Sequence, residues 1–148
     1  MKTTSARVAG LGTTIFAEMS ALALRTGAVN LGQGFPDTDG PDDVIDVAVE
    51  AMRTGANQYA PGTGIPVLRQ AIADHQQRWY GLALDPDSEV AVSTGATEAI
   101  AAAILGLVDP GDEVVVLEPY YDSYVAVLEF AGGVRRPVTL RAPDFRLD

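Results

Sequence analysis

The segment Val90–Tyr124 reads VAVSTGATEAIAAAILGLVDPGDEVVVLEPYYDSY, and it indicates the fold class of the whole chain. A short β-branched run at Val90–Ser93 predicts a strand, and the small residues that follow predict a turn into a helix at Glu98–Val108. The continuous apolar run at Val114–Leu117 is typical of a central parallel strand. We therefore expect a strand, a helix and a second strand, with a polar opening at the carboxyl end of the first strand, where open α/β sheets bind ligands.

The sequence on either side of this segment continues the alternation. Further helices are predicted at Thr13–Thr26, Asp42–Thr54, Pro66–Tyr80 and Tyr121–Ala131, and further strands at Val29–Leu31 and Val134–Leu140. Strands that alternate with helices of about ten residues predict βαβ units and a right-handed, mostly parallel sheet. Because the chain ends soon after its last predicted strand, we expect the first part of a longer protein, with an incomplete α/β sheet.

Composition excludes several classes of function. The chain has 148 residues, of which 47% are hydrophobic, so it can form a core. Its net charge of -10 argues against nucleic acid or an anionic membrane as a partner. It contains no cysteine, which excludes disulfides and thiolate metal sites, and no metal site is predicted. No apolar run approaches the roughly 18 residues of a membrane span, and the first residues lack the apolar core of a secretory signal, so we expect a cytoplasmic protein.

Two neighbouring sequence features suggest a ligand site. The small residues Gly95–Thr97 lie between a predicted strand and a helix start, where free N–H groups and the Thr97 hydroxyl can bind a phosphate. The alternative is that these residues only cap the helix. Tyr120 and Tyr121 follow Pro119 at the end of the next strand and offer aromatic faces, although interior packing is the alternative. Together, the two features suit a phosphorylated aromatic cofactor.

Other motifs carry less weight. The loop Gly32–Asp37 has two glycines, but Asp37 stands where a dinucleotide-binding fingerprint needs a third, so a tight turn and a ligand contact remain equally open. Asn57–Gly64 is rich in glycine and proline, which predicts irregular structure, and it lacks the Gly-Lys-Ser/Thr of a Walker A loop. His75, the only histidine, follows the apolar face of the helix Pro66–Tyr80 and is expected to be a structural residue.

Taken together, the motifs of this chain resemble those of the class I/II aminotransferases, pyridoxal-phosphate enzymes of fold type I. The matching segments follow the family's order and spacing and cover nearly the whole chain: Asn30–Asp37, Asn57–Tyr59, Gly62 with Leu68–Arg69 beyond it, Thr94–Ala99 and Gly111–Tyr124. The resemblance is greatest to the branch with kynurenine, glutamine, methionine and actinobacterial succinyldiaminopimelate aminotransferases. It implies a three-layer α/β/α fold, with residues 1–40 in an N-terminal arm and part of a small domain, and residues 41–148 in the first part of the large cofactor-binding domain.

The resemblance also implies a role for each of seven residues. They are Gly95, Ala96 and Thr97 at the phosphate of pyridoxal phosphate, Tyr121 against its pyridine ring, Tyr59 at the phosphate held by a partner subunit, Gly34 beside the substrate carboxylate, and Phe16 in the substrate pocket. These roles imply a homodimer that moves an amino group from an amino acid to a 2-oxo acid. The amino acid is expected to be of the N-succinyldiaminopimelate, methionine, glutamine or kynurenine type.

The sequence departs from the family at the catalytic centre. Family members use a lysine to form the Schiff base and to move the substrate proton. The only lysine here is Lys2, which precedes the first predicted helix and matches nothing in that motif. No catalytic residue is therefore predicted in this chain. Two alternatives to an aminotransferase portion remain. The first is a non-catalytic piece, either a truncated product or a subunit that needs a separate C-terminal chain. The second is a free-standing phosphate-binding module.

Overall fold

The computed structural model describes residues 5–34, 36 and 38–147. Within these residues the chain forms a short 3-10 helix at Ala6–Val8, five α-helices and two β-strands. In chain order they are α1 (Ile15–Thr26), α2 (Asp42–Arg53), α3 (Pro66–Tyr80), α4 (Ala96–Leu107), β1 (Glu113–Glu118), α5 (Asp122–Ala131) and β2 (Val134–Thr139). Lys2 and Asp37, on which two of the sequence inferences depend, lie outside the described residues.

The chain divides into two compact units. One comprises Met1–Thr14 and Ser93–Asp148 and contains both strands with α4 and α5; we call it the strand unit. The other comprises Ile15–Val92 and contains α1, α2 and α3; we call it the helical unit. The domain boundary near residue 40 that the resemblance implies stays a prediction.

The strand unit is built on a parallel β–α–β connection. β1 pairs with β2 in parallel, in a register that runs from Glu113 opposite Val134 to Glu118 opposite Thr139. α5 ends at Gly132, whose φ of 77° is the left-handed conformation that closes many helices. The predicted α/β class with parallel strands is therefore confirmed.

The core of the strand unit is formed by residues of β1 and α5. Its buried apolar side chains include Val116 on β1 and Val127, Leu128 and Ala131 on α5. Val115, the neighbour of Val116 on β1, is 67% exposed. Because successive strand side chains point to opposite faces, one face of β1 is covered and the other is largely open among the described residues.

The longest helix of the helical unit is α3. Pro66 occupies the first turn of this helix, where its fixed φ is favourable, and Gly81 closes it with a φ of 68°. The guanidinium of Arg69 is buried: its Nη1 donates to the Pro86 carbonyl at 2.7 Å, and its Nη2 lies 3.1 Å from a carboxylate oxygen of Asp87. These contacts fasten the turn that follows α3 back onto the helix.

The last turns of α3 present a small aromatic cluster to solvent. The ring of His75 lies 6.4 Å from that of Trp79 and 6.1 Å from that of Tyr80, and the guanidinium of Arg78 lies 5.5 Å from the Trp79 ring. Trp79 is 65% exposed. Across the described parts of the chain, each helix falls short of the length and apolarity that a membrane crossing needs.

The predicted strand at Val29–Leu31 is wrong: the described chain is irregular there. Val29 and Leu31 are 83% and 91% exposed, so neither packs against a neighbouring strand. Asn30 lies between them, and its amide group donates to Ser20 Oγ at 3.1 Å and accepts from the Gly32 N–H at 3.0 Å. These side-chain bonds favour a turn instead of a strand.

The predicted strand at Val90–Ser93 is also wrong within the described residues. Val90 is buried, as its apolar character requires, but burial alone does not form a ladder. The N–H of Val92 donates to the carbonyl of Thr63, in the loop between α2 and α3, at 2.9 Å. A single bond to a loop takes the place of pairing with a strand.

Candidate cofactor site at the start of α4

The backbone turns into α4 at Gly95. This residue has φ 86° and ψ 166°, a conformation that strains any residue with a side chain. Its N–H donates to the Ser93 carbonyl at 2.8 Å, and Ser93 Oγ donates to the Gly95 carbonyl at 3.0 Å. Within the described chain, no atom lies within 4 Å of the point where a Gly95 side chain would begin. The turn therefore leaves open space beside the start of the helix.

The first amide groups of α4 are free to bind an anion. The earliest helical bond runs from the Ala99 N–H to the Gly95 carbonyl at 3.3 Å. The N–H groups of Ala96 and Thr97 precede it, so they have no carbonyl partner among the described residues. The Thr97 side chain is exposed and adds a hydroxyl. Together with the positive end of the helix dipole, these donors suit a phosphate.

Glu98 caps this helix without blocking the two free amides. Its carboxylate accepts a hydrogen bond from the N–H of Thr94, one residue before Gly95. This is a variant of the capping box, in which an acidic side chain in the first turn reaches back to the preceding backbone. The contact explains why α4 begins at Ala96, two residues earlier than the apolar periodicity predicts.

The two tyrosines after β1 differ in their surroundings. The ring of Tyr120 lies 5.3 Å from the guanidinium of Arg135 on β2, and Arg135 also donates to its hydroxyl. Tyr121 is 48% exposed, and its ring meets that of Tyr124 edge-on, with centroids 6.0 Å apart. Tyr121 is therefore the better placed of the two to stack on a flat ligand.

An apolar pocket of about 450 Å³ is formed by residues of α4, β1 and α5. It is lined by Ile100, Ile104, Val114, Val115, Val116, Leu117, Tyr124 and Leu128. Ile100 follows Thr97 by three positions, so the two side chains lie on adjoining parts of one helix face. Tyr124 also contacts Tyr121, so the aromatic pair adjoins this pocket, and Thr97 lies one helical turn from the pocket residue Ile100.

Two polar groups beside Tyr121 escaped the sequence analysis. Asp122 Oδ2 and Ser123 Oγ are buried and have no hydrogen-bond partner among the described residues. Buried polar atoms are nearly always paired with protein, water or a ligand. The available signal was a polar pair directly after two aromatic residues at a strand end, but the same pair also suits an ordinary helix start.

Three other residues with predicted roles lie in the helical unit. Tyr59 is fully exposed in the loop between α2 and α3. Gly34 is exposed in the irregular segment after α1, and Phe16 is half-buried in the first turn of α1. Their roles at the partner's phosphate, the substrate carboxylate and the substrate pocket stay predictions.

The residues of the strand unit fit pyridoxal phosphate. Free amides and a hydroxyl at the start of α4 match the phosphate, and the half-exposed ring of Tyr121 matches the pyridine. The fit to pyridoxal phosphate therefore depends on hydrogen-bond donors and an aromatic ring that this chain itself contains. The same residues fall within the part of the chain that a family model matches: the model described as aminotransferase class I and II covers residues 26–148.

The chain belongs to this aminotransferase family.

Curated relatives and solved structures agree with this assignment. A protein named probable N-succinyldiaminopimelate aminotransferase from Mycobacterium tuberculosis is 56% identical over 143 residues, which are 97% of this chain and 36% of that protein. The methionine aminotransferase of Escherichia coli is 50% identical over 93% of this chain and 36% of its own length. The kynurenine–oxoglutarate transaminase of Dictyostelium discoideum is 36% identical over 95% of this chain.

The solved structures agree in fold. A crystal structure of the Escherichia coli methionine aminotransferase matches with a TM-score of 0.92 at 48% identity, over 98% of this chain and 38% of that one. The N-succinyldiaminopimelate aminotransferase of Mycobacterium tuberculosis matches with a TM-score of 0.91 at 55% identity, also over 98% of this chain and 38% of that one. The predicted family, branch and fold type are therefore confirmed. The chain spans a little more than a third of the length of these relatives.

Proposed function

We propose that this chain forms the phosphate-binding and ring-stacking part of a pyridoxal-phosphate aminotransferase. The enzyme would transfer an amino group from an amino acid to a 2-oxo acid. The exposed amino end of α4, with its two free amides and the Thr97 hydroxyl, is the observation that carries this proposal. Membership of the family supports the reaction class.

The residues of the chain divide the binding work between two ends of the cofactor. The amides of Ala96 and Thr97 and the Thr97 hydroxyl hold the phosphate, while Gly95 keeps the approach to them open. Tyr121 lies against the pyridine ring and fixes its plane, with Tyr124 supporting Tyr121 edge-on. When bound, pyridoxal phosphate supplies an electron sink for the substrate carbon that carries the amino group.

The remaining parts of the proposal concern the assembled protein. Tyr59 reaches the phosphate held by a second copy of the chain, so the active enzyme is a homodimer. Gly34 and Phe16 contact the substrate, and the protein acts in the cytoplasm. Residues 1–40 belong to an arm and small domain, and residues 41–148 to the large domain. The names of the relatives support an amino donor of the N-succinyldiaminopimelate, methionine or kynurenine type.

The phosphate contact is tested by changing one hydroxyl. Thr97→Val keeps the shape of the side chain and removes its donor, whereas Thr97→Ser keeps the hydroxyl and serves as the matched control. A hydrogen bond to a charged group contributes about 1.5–3 kcal/mol, so Thr97→Val is expected to weaken binding of pyridoxal phosphate about tenfold or more. Equilibrium dialysis measures this affinity, and pyridoxal, which lacks the phosphate, should bind both variants equally. Equal affinity of Thr97→Val and Thr97→Ser for pyridoxal phosphate contradicts the assignment.

The source of the reactive lysine has a separate test. Lys2 is the only lysine in the chain, and we propose that the Schiff-base lysine of the enzyme belongs to another segment. Pyridoxal phosphate is added to the 148-residue chain, which is then reduced with borohydride and digested for mass spectrometry. Reversible binding without a specific adduct is the expected result. A stoichiometric adduct at one residue of this chain would falsify the proposal that the lysine lies elsewhere.

A further inference from the structure

The loop between α2 and α3, residues 54–65, is fastened at its first end by a side chain. Asn57 Nδ2 donates to the carbonyl of Met52 at 2.7 Å. Met52 lies in the last turn of α2, where backbone carbonyls lack helical partners. The Asn57 amide satisfies one of these carbonyls, so a single side chain joins the start of the loop to the end of the helix.

The second end of the loop is fastened by a buried glycine. Gly64 has a φ of 95°, and its N–H donates to the Pro61 carbonyl at 2.8 Å. The neighbouring Thr63 carbonyl accepts the Val92 N–H at 2.9 Å. A side chain at Gly64 would begin only 2.7 Å from Val92 Cβ, a distance that carbon atoms do not tolerate. The backbone at Gly64 therefore lies directly against Val92, and only glycine permits it.

Tyr59 lies between these two fastenings, and its side chain packs against none of the residues that the structure describes. Its exposed fraction is 104%, which is that of a fully solvated side chain. The loop backbone therefore sets where the Tyr59 side chain begins and the direction in which it leaves the chain. A loop that moves freely loses conformational entropy when binding orders it, whereas a loop already held at both ends loses less of this entropy.

We propose that Asn57 and Gly64 are positioning residues for Tyr59. They hold the loop so that the Tyr59 hydroxyl is presented to the cofactor phosphate of a second copy of the chain. Asn57 acts at a distance from that phosphate, through the backbone of the loop. This inference rests on the proposed role of Tyr59 at the phosphate.

A double-mutant cycle tests this indirect action. Binding of pyridoxal phosphate to the 148-residue chain is measured by equilibrium dialysis for Tyr59→Phe, Asn57→Ala and the double variant. We expect Tyr59→Phe to weaken binding about tenfold and Asn57→Ala about threefold to fivefold, as for loss of one neutral hydrogen bond. Because Asn57 acts through the Tyr59 hydroxyl, the double variant should bind no more weakly than Tyr59→Phe.

Thr54→Ala is the matched control. The Thr54 hydroxyl also bonds a carbonyl near the end of α2, that of Glu50 at 2.8 Å, but it does not fasten the loop. The affinity of the Thr54→Ala variant for pyridoxal phosphate should equal that of the unchanged chain. Hydrogen exchange gives a second readout that needs no cofactor: Asn57→Ala should speed exchange at residues 58–64 and leave residues 42–51 unchanged.

The possible results separate the inference from the proposed function. Two results overturn the positioning role alone. One is a double variant whose loss of affinity for pyridoxal phosphate is the sum of the two single losses. The other is an Asn57→Ala variant that binds with full affinity while Tyr59→Phe binds more weakly. Full affinity of Tyr59→Phe overturns the role of Tyr59 and the positioning role with it. If Thr97→Val is also unaffected, the proposed cofactor site itself fails. Faster exchange throughout α2 in Asn57→Ala shows a general loss of structure and also overturns the positioning role.

Discussion

Replacing Gly64 with alanine is expected to destabilise the helical unit more than any comparable glycine change in it. The new Cβ would lie 2.7 Å from both Cβ and Cγ2 of Val92. These atoms are not the flexible end of a side chain, because Val92 is anchored by the bond from its own N–H to Thr63. The backbone must therefore move for the methyl group to fit.

Two separate costs contribute to this effect. Holding a residue with a side chain at a φ of 95° costs about 1–3 kcal/mol. Inserting a methyl group into a tight contact costs about another 1–3 kcal/mol. The sum of about 2–6 kcal/mol is a large part of the 5–15 kcal/mol that stabilises a typical domain. We therefore expect Gly64→Ala to unfold the loop or the whole helical unit under mild conditions.

Two other glycines separate the two costs. Gly81 has a φ of 68° but no atom within 4 Å of an added Cβ in the described chain, so Gly81→Ala carries strain alone, about 1–2 kcal/mol. Gly62 has neither a positive φ nor a close neighbour among the described residues, so Gly62→Ala should be neutral or slightly stabilising. Urea denaturation followed by tryptophan emission measures all three. If Gly64→Ala unfolds within about 1 kcal/mol of Gly81→Ala, the contact with Val92 is not the constraint we describe.

Two further predictions concern the turn after α3. Arg69→Met keeps the buried stem but loses the bonds to Pro86 and Asp87, so urea denaturation should show that the free energy of unfolding falls by about 1.5–3 kcal/mol. Asp87→Asn changes a side chain that is 81% exposed, so it should cost less than about 1 kcal/mol. The Ser88 hydroxyl, followed by the Asp87 N–H, lowers the pKa of Asp85 below its usual 3.8. The contribution of the ionised Asp85 carboxylate to the free energy of unfolding is present above the usual pKa of 3.8. It is lost as pH falls through the lowered pKa. The difference in urea midpoint between Ser88→Ala and the unchanged chain should therefore be largest near pH 6 and shrink at pH 3; an equal difference at both values contradicts the assignment to Asp85.

The helices were predictable because their ends are set by local residues. Pro66 at the start of α3 and the left-handed glycines Gly81 and Gly132 after α3 and α5 act within one turn of chain. Their effect does not depend on distant packing, so the predicted bounds lie within two residues of those observed for each helix. The glycine turn at Gly95 was predictable for the same reason.

The strands and the fine structure of the site depend on contacts between distant residues. Val90–Ser93 has the composition of a strand, but whether it forms a ladder depends on a partner that its own sequence does not specify. Tyr120 and Tyr121 are adjacent and chemically identical, and contacts with Arg135 on β2 and with Tyr124 on α5 distinguish them. The fastening of the Tyr59 loop likewise needs Val92, which lies 33 positions after Tyr59 by its number.

The exposed aromatic cluster on α3 makes the helical unit separately observable. Trp79 is the only tryptophan of the chain, and it lies in the helical unit on the same helix as Arg69. The strand unit contains the tyrosines Tyr120, Tyr121 and Tyr124 instead. Emission excited at wavelengths that tyrosine does not absorb therefore reports on one unit alone, while circular dichroism reports on both. Comparing the two signals along one denaturation curve reveals whether the two halves of the chain unfold as a single cooperative block.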